Sequence, residues 1–154
     1  MPFVAVKPRQ SPLLAGRPVL CNILPMEYEV DFSFGVEALN GARRCVLRRF
    51  SPEAKAVLLQ SSACAQDCLL LGDVRLIVPG FSPALSEEER AALGRAEETG
   101  DEGIAVFCHM TVPDEDPLGA GFDLARLVLV DTLTGRGLCV SRPPRPLVAL
   151  RDGV

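Results

Sequence analysis

The chain contains no tryptophan, one tyrosine and one histidine, and aromatic residues make up only 5% of it. Only two of its sixteen basic residues are lysines, Lys7 and Lys55. Its net charge is −4 and its isoelectric point about 5.0. Proteins that grip single-stranded nucleic acid present a basic stripe with exposed aromatics for base stacking. This composition supplies neither, so direct nucleic-acid binding is not expected. No stretch approaches the roughly 20 apolar residues of a membrane span. The opening Met1-Pro2-Phe3-Val4-Ala5-Val6-Lys7-Pro8 lacks the basic start and long apolar stretch of a signal peptide. The sequence therefore predicts a cytoplasmic location without membrane association.

Catalytic vocabulary is sparse. There is no G-x-x-x-x-G-K-[ST] phosphate loop, no G-x-G-x-x-G after a strand and no G-x-S-x-G elbow. Any imidazole chemistry has to use His109, whose neighbour Cys108 points to the opposite face if the strand is regular. Cys64, Cys68 or a serine could still meet His109 in space, which leaves a thiol- or histidine-dependent hydrolase as an alternative. The carboxylate groups Glu97-Glu98 and Asp114-Glu115-Asp116 lie in the most polar parts of the chain, where they read as solvated. Asp114-Glu115-Asp116 also lacks the spacing and glycine of a calcium loop. No catalytic residue, cofactor or metal is assigned.

What is present is a good core. The 154 residues are 48% apolar, with mean hydropathy +0.23. That suits one domain over residues 1–154, with a loose, proline-rich arm at 1–18 and an extended tail or edge strand at 142–154. Charge is uneven. Residues 1–50 hold seven basic and four acidic residues, net +3; residues 51–154 hold nine and sixteen, net −7. An acidic half can steer a basic partner, or can be an ordinary solvated surface. The six cysteines, at 21, 45, 64, 68, 108 and 139, lack zinc-site spacing; most sit in or beside apolar runs and read as reduced core thiols. Cys64 and Cys68 are the pair to watch for oxidation.

Periodicity is mostly that of strands. Glu27-Tyr28-Glu29-Val30-Asp31-Phe32 alternates acid with apolar residues, as a strand with one wet face does. Further strands are expected at 19–24, 44–48, 56–61, 68–71, 75–78, 104–111, 124–131, 137–141 and 147–150. Turn chemistry separates them at Asn40-Gly41, Gly72-Asp73, Pro79-Gly80, Pro113-Asp114 and Thr134-Gly135. One helix is well marked. Ser86-Glu87-Glu88-Glu89 is a capping box with three acids in the first turn, and the helix runs to Leu93 or on to Glu98. The expected fold is a small, antiparallel, barrel-like β domain with one or two short surface helices.

Several ordered segments are similar to the flagellar assembly factor FliW family. Phe32, Gly35, Val36 and Leu39, leading into Cys45-Val46-Leu47, resemble its opening F-x-x-G segment. Leu58-Leu59-Gln60-Ser61 is like its "LQS" strand. Leu69-Leu70-Leu71-Gly72-Asp73 followed by Pro79-Gly80-Phe81 resembles its Asp-Pro and P-x-Y stretch. Ile104-Ala105-Val106 with Met110-Thr111-Val112-Pro113, and Asp123-Leu124-Ala125 with Leu127–Asp131, match two later strands. The resemblance spans about residues 32–141. Val74 stands where that family has proline, Asp123 and Asp131 stand where it has asparagine, and Arg126 replaces its proline after alanine.

The resemblance implies a barrel-like β fold and a non-enzymatic role. Such proteins bind the RNA-binding translational regulator CsrA and relieve its repression of flagellin synthesis, and they also bind flagellin itself. On that basis the expected partners are a CsrA-type regulator, flagellin or both, with the chain itself a monomer. The candidate contact residues are Glu87, Glu88 and Glu89. An interaction or structural module with a different protein target is the alternative.

Overall fold

The computed structural model describes residues 27–95, 102–112 and 119–149. The proline-rich arm, the expected strand at 19–24, Cys21, Glu97-Glu98, Pro113 and Asp114–Asp116 lie outside the described residues. Ten elements follow in order: β1 (Glu27–Val36), β2 (Ala42–Arg49), β3 (Ala56–Ser61), β4 (Cys68–Asp73), α1 (Val74–Ile77), α2 (Glu87–Ala92), β5 (Ile104–Thr111), β6 (Gly121–Asp131), β7 (Arg136–Ser141) and β8 (Val148–Ala149). A short 3-10 turn at Glu37–Leu39 joins β1 to β2.

The strands hydrogen-bond in the order β5-β4-β3-β2-β1-β7-β6, and β6 then pairs with β5, closing a seven-stranded barrel. Neighbours are antiparallel except β1 and β7, which run parallel over Asp31–Phe32 and Arg136–Gly137. Parity requires this. Directions that alternate around a ring of seven must clash once, so one neighbouring pair has to be parallel. Closure also removes most of the free edge that an open sheet exposes. β8 pairs with β6 beside the far end of β7.

Strand faces follow the alternation read from the sequence. Val30 and Phe32 of β1, Leu47 of β2, Leu59 of β3, Leu71 of β4 and Phe107 of β5 share the barrel interior. Gly137 admits the Phe32 ring, because a Cβ there would lie 2.4 Å from it. A second cluster covers the outside of the wall. Leu127 and Cys108 belong to it, while their neighbours Val128 and Phe107 belong to the interior, so β5 and β6 are buried on both faces. α1 lies over this outer cluster with Val74 and Ile77, joined by Phe122 and Leu124.

Residues 75–78, read from their apolar β-branched run as a strand, are helical instead, since α1 spans Val74–Ile77. The cause is local. The Asp73 carboxylate accepts the Arg75 amide and caps the helix, and this outweighs β propensity over four residues. Gly72 and Asp73 accordingly end β4 and do not form a turn. α2 has the predicted capping box: Ser86 Oγ accepts the Glu89 amide at 3.1 Å, and Glu89 Oε1 accepts the Ser86 amide at 3.0 Å. Leu93 is its C-cap.

Two strands bulge. Asp31 pairs with Arg44 and Val36 with Ala42, so β1 takes five steps while β2 takes two. Cys108 pairs with Leu127 and His109 with Asp123, so β6 takes four steps against one on β5. Bulges of this kind bend a strand and redirect its side chains.

Candidate protein-interaction surface

The sequence segments that resemble FliW turn out to build the barrel rather than one patch. Phe32 and Leu39 are core residues. Gly35 has φ +78°, and a Cβ on it would lie 2.7 Å from the Gly41 carbonyl oxygen, so glycine is required where the first bulge meets the hairpin. Gln60 links the Arg48 Nε to the Ala65 carbonyl, and Ser61 Oγ accepts the Ala63 and Cys64 amides to form the β3–β4 turn. Asp73 caps α1 and accepts a hydrogen bond from Arg49 at 2.6 Å in a buried pair. Asp123 Oδ1 accepts the Ala125 amide at 3.0 Å inside the second bulge, while Leu124 and Ala125 are buried. Thr111 ends β5, Pro79 lies exposed in the turn after α1, and Phe81 packs on the outer cluster beneath the Arg145 guanidinium.

The two aspartates that replace asparagines keep the acceptor oxygen an asparagine would provide. Asp131 accepts the amides of Leu133 and Thr134 in the β6–β7 turn. Its extra charge is met by Arg95, whose Nε lies 2.6 Å away and whose terminal nitrogen lies 3.1 Å away. Both side chains are almost wholly buried. Arg95 also donates to the Glu102 carbonyl. Neither Arg95 nor Arg49 carries a motif in the sequence. Their partners lie 36 and 24 residues away, and only the closed barrel brings them together.

The thiol and imidazole groups are poorly placed for catalysis. Burial pushes the Cys45 thiol up to about 11 and Cys108 up to about 12, so both stay protonated at neutral pH and are weak nucleophiles. Burial, with Arg126 nearby, pushes His109 down to about 4, so it is neutral at pH 7. Its position opposite Leu71 places it in the barrel wall, whereas Cys64 and Cys68 are exposed around the β3–β4 turn. The core-thiol reading holds for Cys45 and Cys108 and fails for Cys64 and Cys68, which are exposed; Cys139 is exposed as a whole residue, yet burial of its thiol on the Val128 side pushes it up to about 11. No group of three or more His, Cys, Asp or Glu residues among the described residues could hold a metal ion. No described helix is long and apolar enough to cross a membrane.

The acidic first turn of α2 is divided in its roles. Glu87 and Glu88 are exposed. Glu89 is held by Arg142 through two hydrogen bonds of 2.8 and 2.9 Å, and Arg142 also donates to the Pro83 carbonyl. The Arg142 hydrogen bonds, aided by the Ser86 amide, hold the Glu89 carboxyl below its ordinary value. α2 is thereby pinned to the residue after β7, and it presents Glu87 and Glu88 outward.

No family model matches the sequence, and no curated protein matches it closely enough to count as a relative. The structure does match a solved one, a crystal structure of the flagellar assembly factor FliW. The identity is 18% and the TM-score 0.63, over 79% of this chain and 82% of that chain. At that identity the likeness is one of fold: this sequence forms a barrel like that of FliW.

Proposed function

We propose that the protein is a non-enzymatic, protein-binding regulator of flagellar assembly, engaging a CsrA-type translational regulator, flagellin or both, without binding RNA itself. The observation that carries this reading is the match of the barrel to FliW over 79% of the chain. The ordered sequence segments add to it, since several of them supply core residues, a bulge glycine and a helix cap of this chain's barrel. The protonated buried thiols and neutral His109 weigh against the hydrolase alternative.

On this reading Glu87 and Glu88 are steering charges. They stand on a helix fixed by its capping box and by Arg142, so their field has a fixed direction toward an approaching basic partner. Glu89 contributes by anchoring the helix.

The test is a purified translation reaction in which a CsrA-type protein represses the flagellin message of the same cell. Adding this protein in molar excess should restore flagellin synthesis. Unchanged repression, with flagellin from that cell also failing to bind, would overturn the reading and leave an interaction module with another target.

A further inference from the structure

The β1–β2 hairpin carries a second set of unused features. Phe34 is 77% exposed, the most exposed large hydrophobic side chain among the described residues. It stands in the β1 bulge, directly before Gly35, whose contact with Gly41 fixes that bulge to the hairpin turn. Asn40, with φ +60°, and Gly41, with φ +78°, form the turn itself. An exposed phenyl ring on a braced loop loses little entropy on binding, and such aromatics dominate interface energetics.

Beside the hairpin lies a groove of about 500 Å³ between this turn and the β3–β4 turn. Leu39, Ala42 and Ala63 contribute apolar lining, and Arg43 and Arg44 also line it. The volume lies within the ordinary range of a binding cleft and holds one or two side chains. Arg43 and Arg44 are exposed, and neither guanidinium has an ion-pair or hydrogen-bond partner among the described residues. Asp67 is the one acid in the lining and is hydrogen-bonded by Asn40 at 3.2 Å; Asp31 stands opposite Arg44 in register without an ion pair to it. Among the residues lining the groove the two arginines outnumber the one acid, Asp67, so the lining carries a net positive charge on a net-acidic protein.

We infer that this hairpin end is a second docking surface, which takes an acidic, apolar peptide segment of a protein partner. The groove receives an apolar side chain, Phe34 packs over the neighbouring backbone, and Arg43 and Arg44 pair with flanking carboxylates, where arginine offers two-pronged geometry. Charge complementarity selects this occupant: a basic segment would meet the two arginines. The inference rests on the protein-binding role proposed above but uses a separate surface, opposite in charge to α2.

The probe is a synthetic peptide alternating Leu and Phe with Glu and Asp, titrated into the isotope-labelled full chain by amide NMR. A peptide with Lys in place of each acid and a single-stranded RNA oligonucleotide are run alongside. The expected result is salt-sensitive binding of the acidic peptide, with shifts concentrated at 33–36, 40–44 and 61–64. Affinity should fall at least tenfold in Arg43→Glu/Arg44→Glu and also in Phe34→Ser. Binding of a CsrA-type partner that depends on Glu87 and Glu88 should be unaffected by these hairpin variants, so the two proposals fail separately. The inference is overturned if the acidic peptide does not bind, if the lysine peptide or the RNA binds as well, or if the wild-type shifts map elsewhere. Should a variant unfold, the wild-type shift map decides alone.

Discussion

Arg142 grips Glu89 with both terminal nitrogens, at 2.8 and 2.9 Å, although 53 residues separate them. The pair joins the helix read from the sequence as a free acidic surface to the end of a barrel strand. A carboxylate that looked like part of a binding face is thus a tether, and the face is left to Glu87 and Glu88.

Glu89→Gln and Arg142→Ala should each lower the melting temperature, by an amount equivalent to about 1 kcal/mol for a partly exposed two-pronged pair. Because the folded Glu89 carboxyl titrates below its ordinary value, its contribution is complete above the unfolded value of about 4.3. It is lost as pH falls through the folded value. The wild type should therefore lose its advantage over Glu89→Gln in acid; an equal gap at pH 7 and in strong acid would refute the tether.

Glu87→Gln/Glu88→Gln should slow association with a basic partner and flatten its salt dependence, leaving dissociation nearly unchanged. Stopped-flow association rates at low and physiological salt read this directly. Rates that match the wild type at both salts would make the helix face an ordinary solvated one.

The Arg95–Asp131 pair makes a stronger stability prediction. Arg95→Ala leaves a buried carboxylate without its cation, which costs about 3–5 kcal/mol. Asp131→Asn keeps an acceptor for the turn amides but removes the negative charge that faces the Arg95 guanidinium. Denaturant midpoints should therefore drop for both variants, with the double change Arg95→Ala/Asp131→Asn costing less than the two single losses together. Simple additivity of the two single effects would show that the residues act independently.

His109 sets the mildly acid limb of stability. Its folded value, pushed down to about 4 by burial and Arg126 against some opposition from Asp123, lies below its ordinary value of 6.5. The unfolded chain therefore binds the proton first. Stability is complete above about pH 6.5 and falls as pH drops toward 4, by on the order of 2–3 kcal/mol. Urea midpoints between pH 7 and 4.5 should decline more in the wild type than in His109→Gln. Parallel declines would show that His109 does not drive them.

Much of the fold was legible because it rests on local rules. The Glu27–Phe32 alternation, the Ser86–Glu89 box and the Asn40-Gly41 turn each lie within a few residues, and each formed as expected. Residues 75–78 misled because a single cap from Asp73 turned a β-branched run into a helical turn. The site was less legible. Phe34 is exposed because β1 bulges, and a bulge is a property of two strands in register. Nothing in the sequence pairs Arg95, Arg49 and Arg142 with Asp131, Asp73 and Glu89, which lie 36, 24 and 53 residues away and meet them only in the folded chain.

The measurement closest to the central claim is titration calorimetry of the full chain with the CsrA-type regulator and, separately, the flagellin of the same cell. The account predicts saturable binding to at least one of them with a dissociation constant in the micromolar range or tighter, at about 8 kcal/mol or more. No binding to either at concentrations of tens of micromolar would contradict it, leaving the barrel as a shared fold with a different partner.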